Sequence, residues 1–279
     1  MRTEFLLGFH QPVALERAGV PLFVSDTRLR DRKTLPRAAA PWALDSGGFT
    51  QLQKFGDWTV PPREYVARVR RYRDEIGQLM WCAPQDRMCE PIVISGGWAG
   101  RLYFVGTKLS VPEHQRLTVD NAVELSMLDA DLPWRRVLQG YKKDEYLRCA
   151  DLYERSGIDL TQESLVCLGS VCRRQGTREV LDILRALHRR GITRVHVFGA
   201  KTLGLRLYGD LAYSADSLAW SEDARRIGRP VCGTVHPRGG KNCANCLPYA
   251  LQWRARLLND HTRPMPWQLG LFDEIGDAA

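Results

Sequence analysis

Short apolar runs alternate along the chain with longer stretches in which apolar residues recur at helical spacing. The short runs predict strands at Phe5–Phe9, Leu22–Ser25, Trp42–Asp45, Leu79–Ala83, Val137–Gly140, Leu165–Gly169, Val195–Gly199 and Ser217–Trp220. Between them, "PPREYVARVRRYRDEIG" opens on prolines and stops at Gly77, as a helix does. "TVDNAVELSMLDA", with Thr118 or Asp120 as its cap, "DEYLRCADLYERSG" and "TREVLDILRALHRRG" have the same amphipathic period. Eight strands with intervening helices predict an α/β protein, a (β/α)8 TIM barrel, although the periodicity also fits an open doubly wound sheet. The barrel is expected over residues 1–228, with a glycine-bearing insertion near 89–119. Residues 229–279, where Gly, Pro, Cys and His crowd together, are expected to form a small metal-binding subdomain whose helix "LPYALQWRARLL" packs on the barrel.

The 279 residues carry a net charge of +8, and the basic side chains are 33 Arg against 7 Lys. Arg pairs bidentately with phosphate and stacks on bases, so the bias suits a polyanion, or else reflects codon usage. No run is long and apolar enough for a membrane span, and the apolar patch in "MRTEFLLGFHQP" is too short for a signal peptide. Five of the eight cysteines are scattered, which predicts reduced thiols in a cytoplasmic protein.

A barrel gathers its chemistry at the C-terminal ends of its strands. There the predicted strands carry Asp45, Asp86, Gln139-Gly140, Gly169-Ser170, Gly199 and Asp216, the last opening the eighth strand. Each acid alone reads as a cap or turn residue, but their recurrence at one topological position predicts a shared mouth. Dinucleotide, P-loop, nucleophile-elbow and His-Glu-x-x-His patterns are absent from the sequence. Chemistry at that mouth would therefore rest on carboxylates, which in pairs serve glycosidic-bond cleavage. Gly47 and Gly48 would let a flat ligand approach the main chain, and Phe49 could cover its ring.

"DSGGF" at Asp45–Phe49 resembles the signature of the tRNA-guanine transglycosylases, a (β/α)8 family with a zinc subdomain. Asp86, Gln139-Gly140, "LGS" at Leu168–Ser170, "HVFGA" at His196–Ala200, Asp216 and the Cys-x-x-Cys tail follow in the family's order, across roughly residues 20–260. "APQDRMCEP", "LGSVCRRQ" and "NCANCLPYALQW" are most similar to the DpdA-type branch, which exchanges guanine in DNA for a 7-deazaguanine, usually 7-cyano-7-deazaguanine. The resemblance implies Asp216 as the nucleophile on C1′ and Asp45 as the general acid/base. It implies that Asp86 accepts from the base's N1–H and amino group, that Gln139 and the Gly169 backbone read O6, and that Ser46 and Phe49 shape the pocket. DNA and a 7-deazaguanine would be the partners, with helper proteins possible. "ADSLAW" around Asp216 lacks the Pro-Thr-Arg stretch of the tRNA enzymes, which argues against tRNA. The same exchange on tRNA, or a catalytically inactive nucleic-acid-binding paralogue, are the alternatives. Asp210 and Asp223 compete with Asp216 for the nucleophile's role.

"CGTVHPRGGKNCANC" brings Cys232, His236, Cys243 and Cys246 within fifteen residues, enough donors to close a tetrahedral structural zinc site. The transglycosylase pattern has Cys-x-Cys-x2-Cys and a later His, whereas Lys241 stands here in place of its first Cys. Cys232 or His236 must compensate, or His261 joins. Among the remaining polar residues, Arg173 and Arg174 are candidate phosphate clamps, and Arg68, Arg70, Arg71 and Arg73 read as a solvated helix surface. His114, Gln115, Thr118 and Asn121 read as a polar helix start, and His188 and His196 as structural.

Overall fold

The computed structural model describes residues 3–234, 236 and 240–260. Ten strands form among the described residues: β1 (Glu4–Gly8), β2 (Leu22–Ser25), β3 (Trp42–Asp45), β4 (Leu79–Cys82), β5 (Gly97–Ala99), β6 (Leu102–Phe104), β7 (Arg136–Leu138), β8 (Val166–Leu168), β9 (Val195–Val197) and β10 (Ser214–Ser217). Eight of them make one sheet in the order β4-β3-β2-β1-β10-β9-β8-β7, every pairing parallel. A parallel bridge between Cys82 and Trp134 joins the two outer strands, with Cys82 N–H donating to the Pro133 carbonyl and Arg135 N–H to the Cys82 carbonyl, both at 3.0 Å. The sheet thereby curls into a (β/α)8 barrel.

The helices are α1 (Ala14–Arg17), α2 (Asp26–Leu29), α3 (Gly48–Phe55), α4 (Pro62–Ile76), α5 (Pro91–Ser95), α6 (Val111–Leu128), α7 (Lys143–Arg155), α8 (Arg178–Arg189), α9 (Thr202–Tyr208), α10 (Ala219–Ile227) and α11 (Leu247–Asp260). Alternation along the strands divides the core in two. Outward residues such as Leu7, Val24, Trp42, Leu138, Val166 and Val197 pack under the helices. Inward residues, Leu6, Ala43, Trp81, Val137 and Cys167, fill the barrel, with Phe23 and Phe198 against them.

Two elements differ from expectation. The eighth barrel strand is Ser214–Ser217, not Ser217–Trp220, and Trp220 lies in α10 with its indole N–H on the Gly8 carbonyl at 2.8 Å. "SADS" is a poor strand former by itself, whereas pairing with β1 on one side and β9 on the other sets its conformation. Asp216 therefore does not open the strand but stands near its C-terminal end. Helix α6 starts at Val111 rather than near Thr118, under a capping box in which Ser110 and Glu113 satisfy each other's end of the helix. Between β4 and α6 lie α5 and the antiparallel β5–β6 hairpin, which belongs to a separate two-stranded sheet.

After α10 the chain turns through the Cys/His segment into α11. Trp253 of α11 donates its indole N–H to Asp223 at 2.9 Å, and Arg254 reaches the Phe5 carbonyl of β1 at 3.0 Å. Among the described residues no helix is long and apolar enough to cross a membrane.

Candidate active site and metal cluster

Strand parity decides what enters the mouth of the barrel. Ala43 points inward, so Asp45, two residues on, also does; Val137 sets Gln139 in the same way, and Cys167 sets Gly169. The result is a cavity of about 420 Å3 lined by Asp45, Phe49, Asp86, Gln139, Gly169, Arg173 and Asp216, together with Gly48, Phe23, Met88, Glu90, Ser170, Cys172, Phe198 and Leu218. Of the eight residues that the sequence put forward as catalytic or substrate-contacting, seven share this one space. The eighth, Ser46, lies just behind it, with its hydroxyl donating to Asp86 at 3.4 Å. Neither Asp210, exposed after α9, nor Asp223, paired with Trp253, lines this space.

Asp216 accepts from the Gly199 N–H at 3.0 Å and lies 3.3 Å from His196 Nε2, while His196 Nδ1 sits 2.8 Å from the Ser214 hydroxyl. His196 is fully buried in the barrel, edge-on to Trp81 and Phe198. The sequence reading of His196 as merely structural missed this contact. The available signal was parity: in "VHVFG" the valines face the helices, so His196 and Phe198 must face inward.

Asp45 receives hydrogen bonds from the Ser25 hydroxyl and the Gly47 N–H, yet burial pushes its carboxyl up, and the Asp216 and Asp26 charges add to the rise. Asp86 is pushed up to about 7, chiefly by burial, with the Asp45 charge adding to it and the Gln139 amide opposing. Gln139 donates to Asp86 and accepts from Ser170 Oγ at 2.6 Å, and Ser170 Oγ in turn accepts from the Cys89 N–H at 2.7 Å. Ser170 has a φ of 56°, a left-handed conformation that a non-glycine residue holds only where its surroundings enforce it. Beside it Gly169 leaves room for the Gln139 amide, which a Cβ there, 2.3 Å from Nε2, would displace. Glu90, also raised by burial, keeps its Oε2 buried with no hydrogen-bond partner among the described residues.

The glycines after Asp45 correct a sequence expectation. Gly47 has a φ of 81° and caps α3, and a Cβ on it would strike Thr27 at 2.8 Å, away from any ligand. Gly48 does line the cavity, but its missing side chain leaves room for Trp58 and for the Asp86 segment. The polar face of α6 fastens that same segment. His114 bonds the Met88 carbonyl at 2.7 Å, Thr118 accepts from Arg87 N–H at 2.9 Å, and Asn121 accepts from Gln85 N–H at 2.9 Å. Gln115 holds the Gln139 carbonyl at 2.7 Å.

The candidate phosphate clamps separate. Arg174 is tied to Glu179 at 2.7 Å and lies 4.3 Å over the Tyr141 ring. Arg173 is exposed on the rim, its guanidinium 5.8 Å from the Phe49 ring and 5.4 Å from Phe104. On α4, Arg68 pairs with Asp26, Arg70 with Asp129, Arg71 with Glu75 and Arg73 with Asp74. His188 bonds the Leu211 carbonyl, a structural contact.

At the other end of the chain, the Sγ atoms of Cys232, Cys243 and Cys246 and a ring nitrogen of His236 all lie within 4.8 Å of one another. His236 Nε2 is 3.1 Å from Cys232 Sγ and 3.5 Å from Cys243 Sγ. Three thiols and an imidazole converging on one point are a donor set that fits a metal ion. His261 lies outside the described residues. A groove of about 590 Å3 beside the cluster has Gln11, Arg17, Lys241 and Asn242 in its wall and, among the described residues, no carboxylate.

A parallel barrel with carboxylates gathered at its C-terminal mouth, and a Cys3His cluster between α10 and α11, is the class of protein that these elements define. The profile of the DpdA family (DeoxyPurine in DNA protein A) matches residues 1–269, and the chain belongs to that family. No curated protein matches. Among solved structures, the phosphoenolpyruvate phosphomutase of Streptomyces platensis subsp. rosaceus is similar with a TM-score of 0.44 and 19% identity, over 77% of this chain and 76% of that one.

Proposed function

We propose that this protein is a DNA guanine transglycosylase that replaces guanine in DNA with a 7-deazaguanine, through a covalent bond between Asp216 and the sugar. Membership of the DpdA family supports DNA purine modification as the setting. The observation that carries the chemistry is the convergence of Asp45, Asp86 and Asp216 on one cavity.

In the first half-reaction an Asp216 carboxylate oxygen attacks C1′ of the deoxyribose. The C1′–N9 bond breaks, its electron pair leaves with guanine, and Asp45 delivers the proton the departing base needs. Burial pushes the Asp45 carboxyl up and so favours its protonated form, as a general acid requires. The Gly199 N–H and His196 aim Asp216, as an oriented nucleophile requires. In the second half-reaction the incoming 7-deazaguanine gives its N9 proton to Asp45 and attacks C1′, and the ester to Asp216 breaks. Asp86, once ionised, accepts from the base's N1–H and amino group, while the second Gln139 amide hydrogen serves O6. The Gly169 N–H is bonded to the Leu138 carbonyl at 3.0 Å and its carbonyl to the Tyr146 hydroxyl at 2.8 Å, so the Gly169 main chain does not read O6 as the resemblance implied. Phe49 and Phe198 exclude the water that would hydrolyse the ester. The target nucleotide must leave the duplex to enter, with Arg173 at the rim for its phosphate.

Cys232, His236, Cys243 and Cys246 would hold a zinc ion, which with four protein donors would serve to fasten the turn between α10 and α11.

The test is base exchange with labelled guanine on duplex DNA, single-stranded DNA and tRNA, with parent protein and Asp216→Ala. Exchange into DNA, with a protein–DNA adduct that Asp216→Ala cannot form, is expected. Exchange on tRNA alone would remove the DNA reading, and none on any substrate by folded, metal-loaded protein would remove the enzyme.

A further inference from the structure

The β5–β6 hairpin presents aromatic surface to solvent that nothing in the cavity chemistry uses. Trp98 is 72% exposed and Tyr103 51%. They are directly paired across the two strands, so both project from the same face, with ring centroids 5.3 Å apart. Phe104, the next residue, points the other way and is fully buried. It packs edge-on against Phe49 at 5.5 Å, which fixes the hairpin to the residue that lines the cavity. The backbone is pinned as well, since the Gln53 side chain of α3 bonds the Tyr103 carbonyl and Val105 N–H reaches the Gln53 carbonyl at 3.1 Å. Arg101 stands exposed at the two-residue turn, and no acid occurs between Glu90 and Glu113. Arg173 lies against Phe104 and Phe49 on the side toward the cavity.

We propose that the outward face of this hairpin, Trp98 and Tyr103 with Arg101 at its tip, is a stacking platform for unpaired bases of the DNA strand flanking the target nucleotide. The proposal rests on the DNA-exchange reading above. Extruding one nucleotide unstacks its neighbours, and an aromatic surface replaces the lost stacking whatever the sequence, because every base has a π-face. The basic turn and the absence of acids match a polyanion, while the rigid link through Phe104 and Phe49 sets the platform beside the cavity mouth. An exposed indole and phenol on a surface meant only for water have no such use.

The experiment measures binding of a fluorescent single-stranded oligonucleotide, and of the same sequence as duplex, to parent protein, Trp98→Ala, Tyr103→Ala and Trp98→Phe. Binding of free 7-deazaguanine and the melting temperature report on cavity and fold. Trp98→Ala is expected to weaken single-strand binding by about 10-fold or more, Tyr103→Ala somewhat less, and Trp98→Phe to recover most of the loss. The free base should bind Trp98→Ala as it binds the parent. Parent-like DNA affinity in both alanine variants overturns the proposal. So does a change in self-association with DNA affinity kept, which assigns the face to a second copy. Base exchange on DNA with undiminished strand affinity in Trp98→Ala would leave the transglycosylase reading standing alone. A parent that binds no DNA brings down both.

Discussion

The barrel mouth and the Cys/His cluster are both knots of ionisable side chains, yet they are assembled in opposite ways. The cluster draws its donors from fifteen consecutive residues, and they face one another within 4.8 Å. The mouth draws Asp45 from β3, Asp86 from the loop after β4 and Asp216 from β10, and burial leaves the Asp45 and Asp86 carboxyls raised rather than neutralised by a cation. Like charges kept together without compensation cost stability and are tolerated where they do chemistry. Thiolates and an imidazole around a metal settle their charge and add stability. On the function proposed above, the mouth would serve turnover and the cluster folding, and substitutions can test that division.

The largest effect is expected at Asp216. Asp216→Ala should reduce base exchange by about 10^4-fold or more, as loss of a covalent nucleophile does, with a melting temperature near the parent's. A comparable collapse of the fold would show that the carboxylate is structural and would erase the contrast.

Cys243→Ser should do the reverse. A structural zinc site has an apparent binding free energy on the order of 10 kcal/mol, and ~1 kcal/mol corresponds to ~2–4 °C in a domain of this kind. Losing one ligand is therefore expected to lower the melting temperature by about 10 °C or more, and a chelator should mimic it. Exchange per folded molecule, measured below the new transition, should fall little. A loss of turnover without a loss of stability would move the metal into the chemistry.

The pH dependence separates the two regions further. With Asp86 at about 7, the free protein holds it protonated below neutrality. A base that donates N1–H and an amino group needs it ionised. Affinity for free 7-deazaguanine should therefore rise with pH up to about 7 and level off above, changing ~10-fold per unit on the acid side. The stability effect has the opposite sign. Because the folded value is raised, the unfolded chain ionises first, and Asp86 lowers stability progressively from about pH 4 to pH 7. Asp86→Asn should flatten both slopes, weaken base binding and leave the protein no less stable at pH 8. Calorimetric titration and melting curves across pH 5–8 read both quantities.

How far the sequence showed these regions depended on whether a pattern was local. Cys-x3-His and Cys-x2-Cys are local, and the cluster was legible from spacing. Strand ends were legible where an apolar run stopped at a polar residue, as at Asp45. "SADS" lacked an apolar run of its own, so β10 was displaced toward Leu218-Ala219-Trp220, and only its pairing with β1 and β9 shows where it lies. α6 hid its start because the buried face of its first turns is polar: His114, Gln115 and Thr118 are fully enclosed and grip the Asp86 and Gln139 segments. Periodicity reads apolar faces, so a helix that buries hydrogen bonds escapes it. Glu90 joins the cavity through loop geometry that no spacing encodes.

The smallest effect tests how finely the mouth is set. Gly169→Ala adds one methyl group 2.3 Å from Gln139 Nε2, closer than any real contact, so the amide must move. That movement would disturb the Gln139 bonds to Asp86 and Ser170 without adding or removing a charge. If these bonds hold Asp86 and the O6-reading amide in register, the apparent KM for the incoming base should rise about 10-fold, a misplacement cost of the usual order or less, while Asp216 still forms its adduct at close to the parent's rate. Cys/His metal content and the melting temperature should barely change, because the disturbed bonds are confined to the mouth. An unchanged KM would mean that the Asp86–Gln139–Ser170 chain is packing alone, and that the base is read elsewhere in the cavity.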